Sequence, residues 1–153
     1  MQYAIRNEQV KPTPIAVVRR RAGKNELSRV VPEACGLVWG AIKAAGAKGG
    51  RHVAIYRHTS EGQFDVEIGA EVATDFPGHG EVIGSSLPDG QVAATTHFGP
   101  YNRLGEAHQA VQDWCVANKR TPVEPCWEIY GHWVDEWNRD PSKIRTEVYY
   151  LIR

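Results

Sequence analysis

The chain has 153 residues, and its 18 basic and 18 acidic side chains cancel to a formal net charge of zero. That length fits a single domain, 1–153, burying about two-thirds of its unfolded surface, and a neutral chain has no global field to draw it to nucleic acid or a membrane. No apolar run approaches the roughly 20 residues of a membrane span, Met1-Gln2-Tyr3 does not open a signal peptide, and Cys35, Cys115 and Cys126 lack the spacing of a zinc knuckle or disulfide framework. Reduced thiols in a cytoplasmic protein, with no metal and no cofactor, are the expectation.

Pro12 and Pro14 lead into the apolar run Ile15-Ala16-Val17-Val18, a strand entered from an extended segment. Arg19-Arg20-Arg21 with Lys24 forms a short basic cluster at the strand end, read as a solvated turn with a phosphate contact as the minority alternative. Residues 23–30 read as a turn, and Pro32 suits the first position of a helix that runs to about Ala45 with Gly46 as its cap. A strand over 52–58, a hairpin turn at Ser60-Glu61-Gly62 and an alternating strand over 64–72 follow. The Gly-, Pro- and Asp-rich stretch 73–90 is a linker, with Glu81-Val82-Ile83 as its one strand-like piece. Beyond it come a strand over 91–97 and a helix from Tyr101 to Asn118 with Leu104, Ala107, His108, Val111, Trp114 and Cys115 on one face. A strand over 126–132, a loop at 133–143 and a closing strand over 145–152 complete the chain.

Three blocks recur in one order. Ile15–Arg20 is echoed by Val92–His97, His52–His58 by Cys126–His132, and Val66–Val72 by Thr146–Ile152. A period near seventy residues is too long for a solenoid. The chain therefore reads as a pseudo-symmetric duplication of a β-α-β-β unit, with halves at about 3–72 and 91–152 joined by the linker 73–90. This is an α+β fold: an antiparallel sheet with two main helices on one face and a ligand groove at the other.

Glu128 is the outlier within Cys126-Trp127-Glu128-Ile129-Tyr130, because its repeat partner is the apolar Ala54. A buried carboxylate needs a hydrogen-bond network, a raised pKa or a cationic ligand, while strand alternation leaves a solvent-facing Glu128 open. Glu147 is the second acidic candidate, but its repeat partner Glu67 is also Glu, which favours a structural role. Trp127, Tyr130, Trp133, Trp137, Tyr149 and Tyr150 crowd the same region. Such a wall of π-faces around a carboxylate suits flat or cationic organic molecules, with ordinary core packing as the alternative. The six histidines are scattered, and His58 and His132, repeat equivalents at strand ends, read as caps or solvent-exposed side chains. GxSxG, HExxH and phosphate-cradling loops are absent.

Phe98-Gly99-Pro100-Tyr101, the helix ending at Trp114 and the closing pieces Trp127-Glu128-Ile129-Tyr130, Asp140-Pro141 and Thr146–Leu151 resemble a GyrI-like small-molecule-binding domain. The same fold is the effector-binding domain of AraC-type and multidrug-binding MerR-type transcription activators. The resemblance spans about residues 3–152 and implies a binding module standing alone, with a groove between the halves lined by aromatics around a central Glu. Glu128 takes that place, and the Trp133–Trp137 stretch lengthens a loop that would lid the groove. The implied function is uptake of aromatic, cationic or electrophilic compounds, with Glu128 as anchor and Trp39, Tyr101, Tyr130, Trp133, Trp137 and Tyr149 as walls. An alternative is hydrolysis of cyclopropane-bearing or similar reactive natural products, with Glu128 (or Glu147) catalytic. A further alternative is a gyrase-inhibitor-type interaction protein. The expected partner is thus a small organic molecule, with no direct nucleic-acid or membrane binding, and the oligomeric state is not legible.

Overall fold

In the computed structural model, which describes residues 2–59 and 61–153, the anticipated apolar runs become eight antiparallel strands and two main helices, an α+β fold. In chain order these are β1 (Arg6–Val10), β2 (Thr13–Ala22), α1 (Leu27–Ala44), β3 (Gly49–His58), β4 (Phe64–Val72), β5 (Ile83–Leu87), β6 (Gly90–Phe98), α2 (Leu104–Ala117), β7 (Pro122–Tyr130), the short α3 (Asp135–Arg139) and β8 (Arg145–Ile152). Two compact units result: Lys11–Asp89, and the chain up to Val10 together with Gly90–Arg153. Among the described residues no helix is long and apolar enough to cross a membrane.

Within Lys11–Asp89 the strands pair in the order β3-β4-β2-β5, and within the other unit in the order β7-β8-β6-β1. The two orders correspond strand for strand. Each flanking strand is borrowed across the repeat, because β1 precedes the first β-α-β-β run yet pairs with β6, while β5 precedes the second yet pairs with β2. β1 has only five residues of alternating half-buried character, so it carries too weak a pattern to be anticipated.

The registers match as well. Arg19 and Ile55 pair with Glu67, as Thr96 and Ile129 pair with Glu147. Tyr56 pairs with Val66 and Ala54 with Ile68, as Tyr130 pairs with Thr146 and Glu128 with Val148. Tyr56 therefore corresponds to Tyr130, Glu67 to Glu147 and Ala54 to Glu128, as the repeat blocks predict. β3 and β7 also each carry an irregularity near their start, between Gly49 and His52 and between Val123 and Cys126.

α1 starts at Leu27, earlier than the expected Pro32. A 3-10 turn over Lys24–Glu26 leads in, and Glu26 reaches back to accept a 2.8 Å bond from the Gly23 N–H. That contact satisfies an otherwise orphaned donor, and the helix continues through Pro32, which has no N–H to give inside it. Both helices end in the same motif. Gly46 and Ala47 donate to the carbonyls of Lys43 and Ile42, and Lys119 and Arg120 donate to those of Val116 and Cys115. The left-handed residue is Gly46 (φ 67°) in one and Lys119 (φ 56°) in the other.

α1 buries Ala34, Val38, Ala41 and Ile42, and α2 buries Leu104, Ala107, Val111 and Cys115, each at helical spacing. The α2 stripe packs on Ala93, Val148, Tyr150 and Ile152, with Tyr3, Ile5, Trp114, Cys126 and Tyr130 partly buried against it. Other boundaries differ from expectation as well. β2 runs through Arg19-Arg20-Arg21 to Ala22 where a turn is expected, β3 begins at Gly49 and α2 at Leu104, β5 extends from Ile83 to Leu87, β7 begins four residues earlier than residue 126, and the loop at 133–143 contains α3. Ser60 of the expected hairpin turn lies outside the described residues.

Candidate functional site

Residues directly paired across an antiparallel sheet share a face, so Cys126, Glu128 and Tyr130 of β7 lie with Val148 and Tyr150 of β8 on the side that carries α2. Glu128 is therefore on the helix face, not on the opposite face to which the groove was assigned. The reason is register. Trp127 and Ile129 occupy the alternate positions, and Glu128 finds its partner on the helix.

That partner is His108, whose Nε2 lies 2.6 Å from Glu128 Oε2. Tyr130 donates its hydroxyl to Glu128 Oε1 at 2.5 Å. The other ring nitrogen of His108, Nδ1, lies 2.7 Å from the Tyr150 hydroxyl, and Gln112 Nε2 donates to that hydroxyl at 3.1 Å. An ionised carboxylate only accepts, so His108 donates from Nε2 and a neutral ring accepts from Tyr150 at Nδ1. These four bonds then point toward Glu128: Gln112 to Tyr150, Tyr150 to His108, His108 to Glu128, and Tyr130 to Glu128.

Glu128 is only 6% exposed, which makes these partners essential for a charged group. Burial, with the neighbouring Cys126, raises the Tyr150 hydroxyl well above its ordinary range. Burial, reinforced by the charge of Glu128, pushes the Cys126 thiol up to about 12. Neither group ionises near neutral pH, so Tyr150 remains a donor. Cys35, Cys115 and Cys126 are free thiols. Among the described residues no cluster of three or more His, Cys, Asp or Glu side chains is disposed to hold a metal ion.

The candidate residues separate into distinct places. Tyr101 joins the Glu128 group, with its ring edge-on to Tyr130 at 5.8 Å and 79°. Tyr149 lies on the opposite sheet face, stacked on the buried Trp127 at 5.4 Å and 9°. Trp133 and Trp137 meet edge-on at 5.4 Å in the β7–β8 connection, and Trp133 is 51% exposed. Trp39 belongs to the other unit, on α1 beside His52, and is 40% exposed.

Glu147 also faces away from α2. It accepts from Thr96 Oγ1 at 2.8 Å, from Arg6 Nη2 at 2.9 Å, and from Arg145 Nε and Nη2 at 3.0 and 2.8 Å. Burial by itself would raise its pKa, but the bonds from Thr96 and Arg145 and the charge of Arg6 outweigh burial and hold it below the ordinary carboxylate range.

His108, Tyr150 and Gln112 were missed as functional residues. His108 falls on the apolar face of α2, and a histidine inside a buried stripe is the one signal the sequence offers. Its partner lies twenty positions away in sequence, beyond any local spacing rule.

Fold and site together define a class, a duplicated α+β domain with a buried polar network centred on Glu128. More particularly, the chain belongs to the GyrI-like family, the GyrI-like small molecule binding domain, matched over residues 3–153. It is similar to the EcmrR C-terminal domain at TM-score 0.81 and 20% identity, covering 100% of this chain and 99% of that one. It spans 57% of the longer EcmrR chain seen in a DNA complex. SAV2435, in a structure bound to tetraphenylphosphonium, is similar at TM-score 0.67 and 11% identity, covering 100% and 94%. A hydrolase from Listeria innocua is similar at TM-score 0.64 and 10% identity, covering 97% and 91%. No curated relative matches in sequence.

Proposed function

We propose that this protein binds aromatic small molecules that are cationic or electrophilic, with Glu128 as the electrostatic anchor. The observation that supports this most is the buried Glu128 carboxylate, oriented by His108 and Tyr130 with the Tyr101 ring alongside. A fixed negative charge among π-faces attracts a cation through Coulomb and cation–π terms that a dry site strengthens. The family description is small-molecule binding, and the ligand named for SAV2435 is itself an aromatic cation. Trp133 and Trp137 offer exposed or half-buried aromatic surface for further walls, whereas Tyr149 is engaged with Trp127 and Trp39 belongs to the other unit.

Titration with tetraphenylphosphonium, followed by tryptophan emission, tests the reading. Glu128→Gln keeps the shape and removes the charge, so it weakens that cation by about 2–3 kcal/mol, the Coulomb energy of charges roughly 6–8 Å apart at an effective dielectric of about 20. The neutral triphenylphosphine oxide loses much less. Equal losses for both ligands would show that Glu128 acts through packing.

A second reading, hydrolysis of a strained electrophile, is favoured by the donors converging on Glu128 and by the relatives described as hydrolases. In it Glu128 activates water or transfers a proton to the opening ring. Incubation with a cyclopropane-bearing electrophile, read by mass spectrometry, tests this. Glu128→Gln abolishes turnover and leaves binding measurable. Turnover that survives moves the role elsewhere, with Glu147 first in line.

A further inference from the structure

We propose that His108 is the specificity-determining residue of the Glu128 site, turning it toward cations that carry no N–H donor, such as quaternary ammonium or phosphonium groups, and away from protonated amines of the same size. The proposal rests on the reading of Glu128 as a cation anchor. A protonated amine gains its affinity for a carboxylate largely through short N–H···O bonds to the oxygen lone pairs. At Glu128 each oxygen already accepts a short bond, Oε1 from Tyr130 and Oε2 from His108, and the side chain is 7% exposed. A new donor must displace one of these or crowd in beside it.

His108 is not easily displaced. Its Nδ1 is held by the Tyr150 hydroxyl, which Gln112 fixes in turn, and its ring packs edge-on to Tyr150 at 5.6 Å and 78°. A quaternary cation needs no lone pair. It requires negative charge and aromatic faces within reach, which Glu128, Tyr130 and Tyr101 present.

The fold does not need this network, as the other unit shows. Counting back from the matched helix ends at Ile42 and Cys115, His108 corresponds to Cys35 and Gln112 to Trp39. By strand register, Glu128 corresponds to Ala54 and Tyr150 to Ala70. Four of the five members are replaced, Tyr130 alone being retained as Tyr56, and the same strand and helix frame forms without the network.

Benzyltrimethylammonium and benzylammonium share a ring and a charge and differ in their N–H donors. Calorimetric titration of the wild type at neutral pH is expected to show the trimethyl compound binding at least about tenfold tighter. His108→Ala opens Oε2, and the ratio falls toward one or inverts. His108→Gln, which retains an N–H donor, keeps the preference. Should His108→Ala not fold, Tyr150→Phe releases His108 Nδ1 and must lower the ratio in its place. A purely structural role would weaken both probes alike and leave the ratio unmoved in the variants, which overturns the proposal. Equal binding of both probes by the wild type overturns it as well. Binding of neither probe overturns the cation-anchor reading beneath it.

Discussion

Where the unit Lys11–Asp89 carries Ala54, the unit containing Gly90–Arg153 carries Glu128, yet Glu67 and Glu147 stand at matching positions in both. The matched pair has matching company. Glu67 accepts from Ser85 at 2.6 Å with Arg19 and Arg57 each at 3.7 Å, and Glu147 is held by Thr96, Arg6 and Arg145. A carboxylate that recurs with arginine neighbours in both units belongs to the frame. One that appears once, with His108, Tyr150 and Gln112 present in that unit alone, is where the units diverge in function. The same contrast separates Tyr149, stacked on Trp127, from its counterpart Gly69, where the neighbouring strand comes too close for a side chain.

The comparison breaks most sharply at Gly69. A β-carbon there would lie 1.8 Å from the Ala16 carbonyl oxygen, so the backbone itself must move. Gly69→Ala is expected to cost about 3 kcal/mol, the upper end for overpacking, measured by chemical denaturation. Tyr149→Ala, at the matching place, loses stacking area without a clash. A smaller cost for Gly69→Ala than for Tyr149→Ala would remove the distinction.

Glu147→Gln is expected to destabilise by about 2 kcal/mol, as for loss of charge-assisted hydrogen bonds, and more than Glu67→Gln, whose arginines sit farther off. The folded pKa of Glu147 is lowered, so its contribution is fully present above the unfolded value of about 4.3 and fades as pH falls through the lower folded value. Wild-type stability therefore drops in that acid window, and the Glu147→Gln variant shows a shallower drop. Parallel acid profiles would contradict the assignment.

Tyr150→Phe removes the bonds to His108 and from Gln112 and is expected to cost about 1 kcal/mol. Thermal melts of this variant beside Ala70→Gly would show whether the network also supports the fold. The smallest effect lies at the helix ends. Lys119→Gly relieves a left-handed backbone and gains up to about 1 kcal/mol, whereas Gly46→Ala loses a similar amount. Gains or losses of the same sign at both sites would mean that the two caps are not equivalent.

Much of the fold was legible because its signals are local or repeated. Alternation at 64–72 and 145–152 marks strands, and the blocks around Tyr56 and Tyr130 align without reference to structure. β1 and the true start of α1 escaped, since a five-residue edge strand has little pattern and Pro32 imitates a helix start that Glu26 and Gly23 supply instead.

Of the candidate site, composition and the repeat singled out Glu128, because a lone acid opposite Ala54 in a buried strand is a chemical anomaly whatever the tertiary arrangement. Which way Glu128 points, and which groups receive it, only tertiary structure decided. A side chain's face depends on register across strands and on the helix laid over them. His108 meets Glu128 because α2 packs its apolar stripe on β6 and β8, a contact between distant segments that burial imposes and that no spacing along the chain encodes.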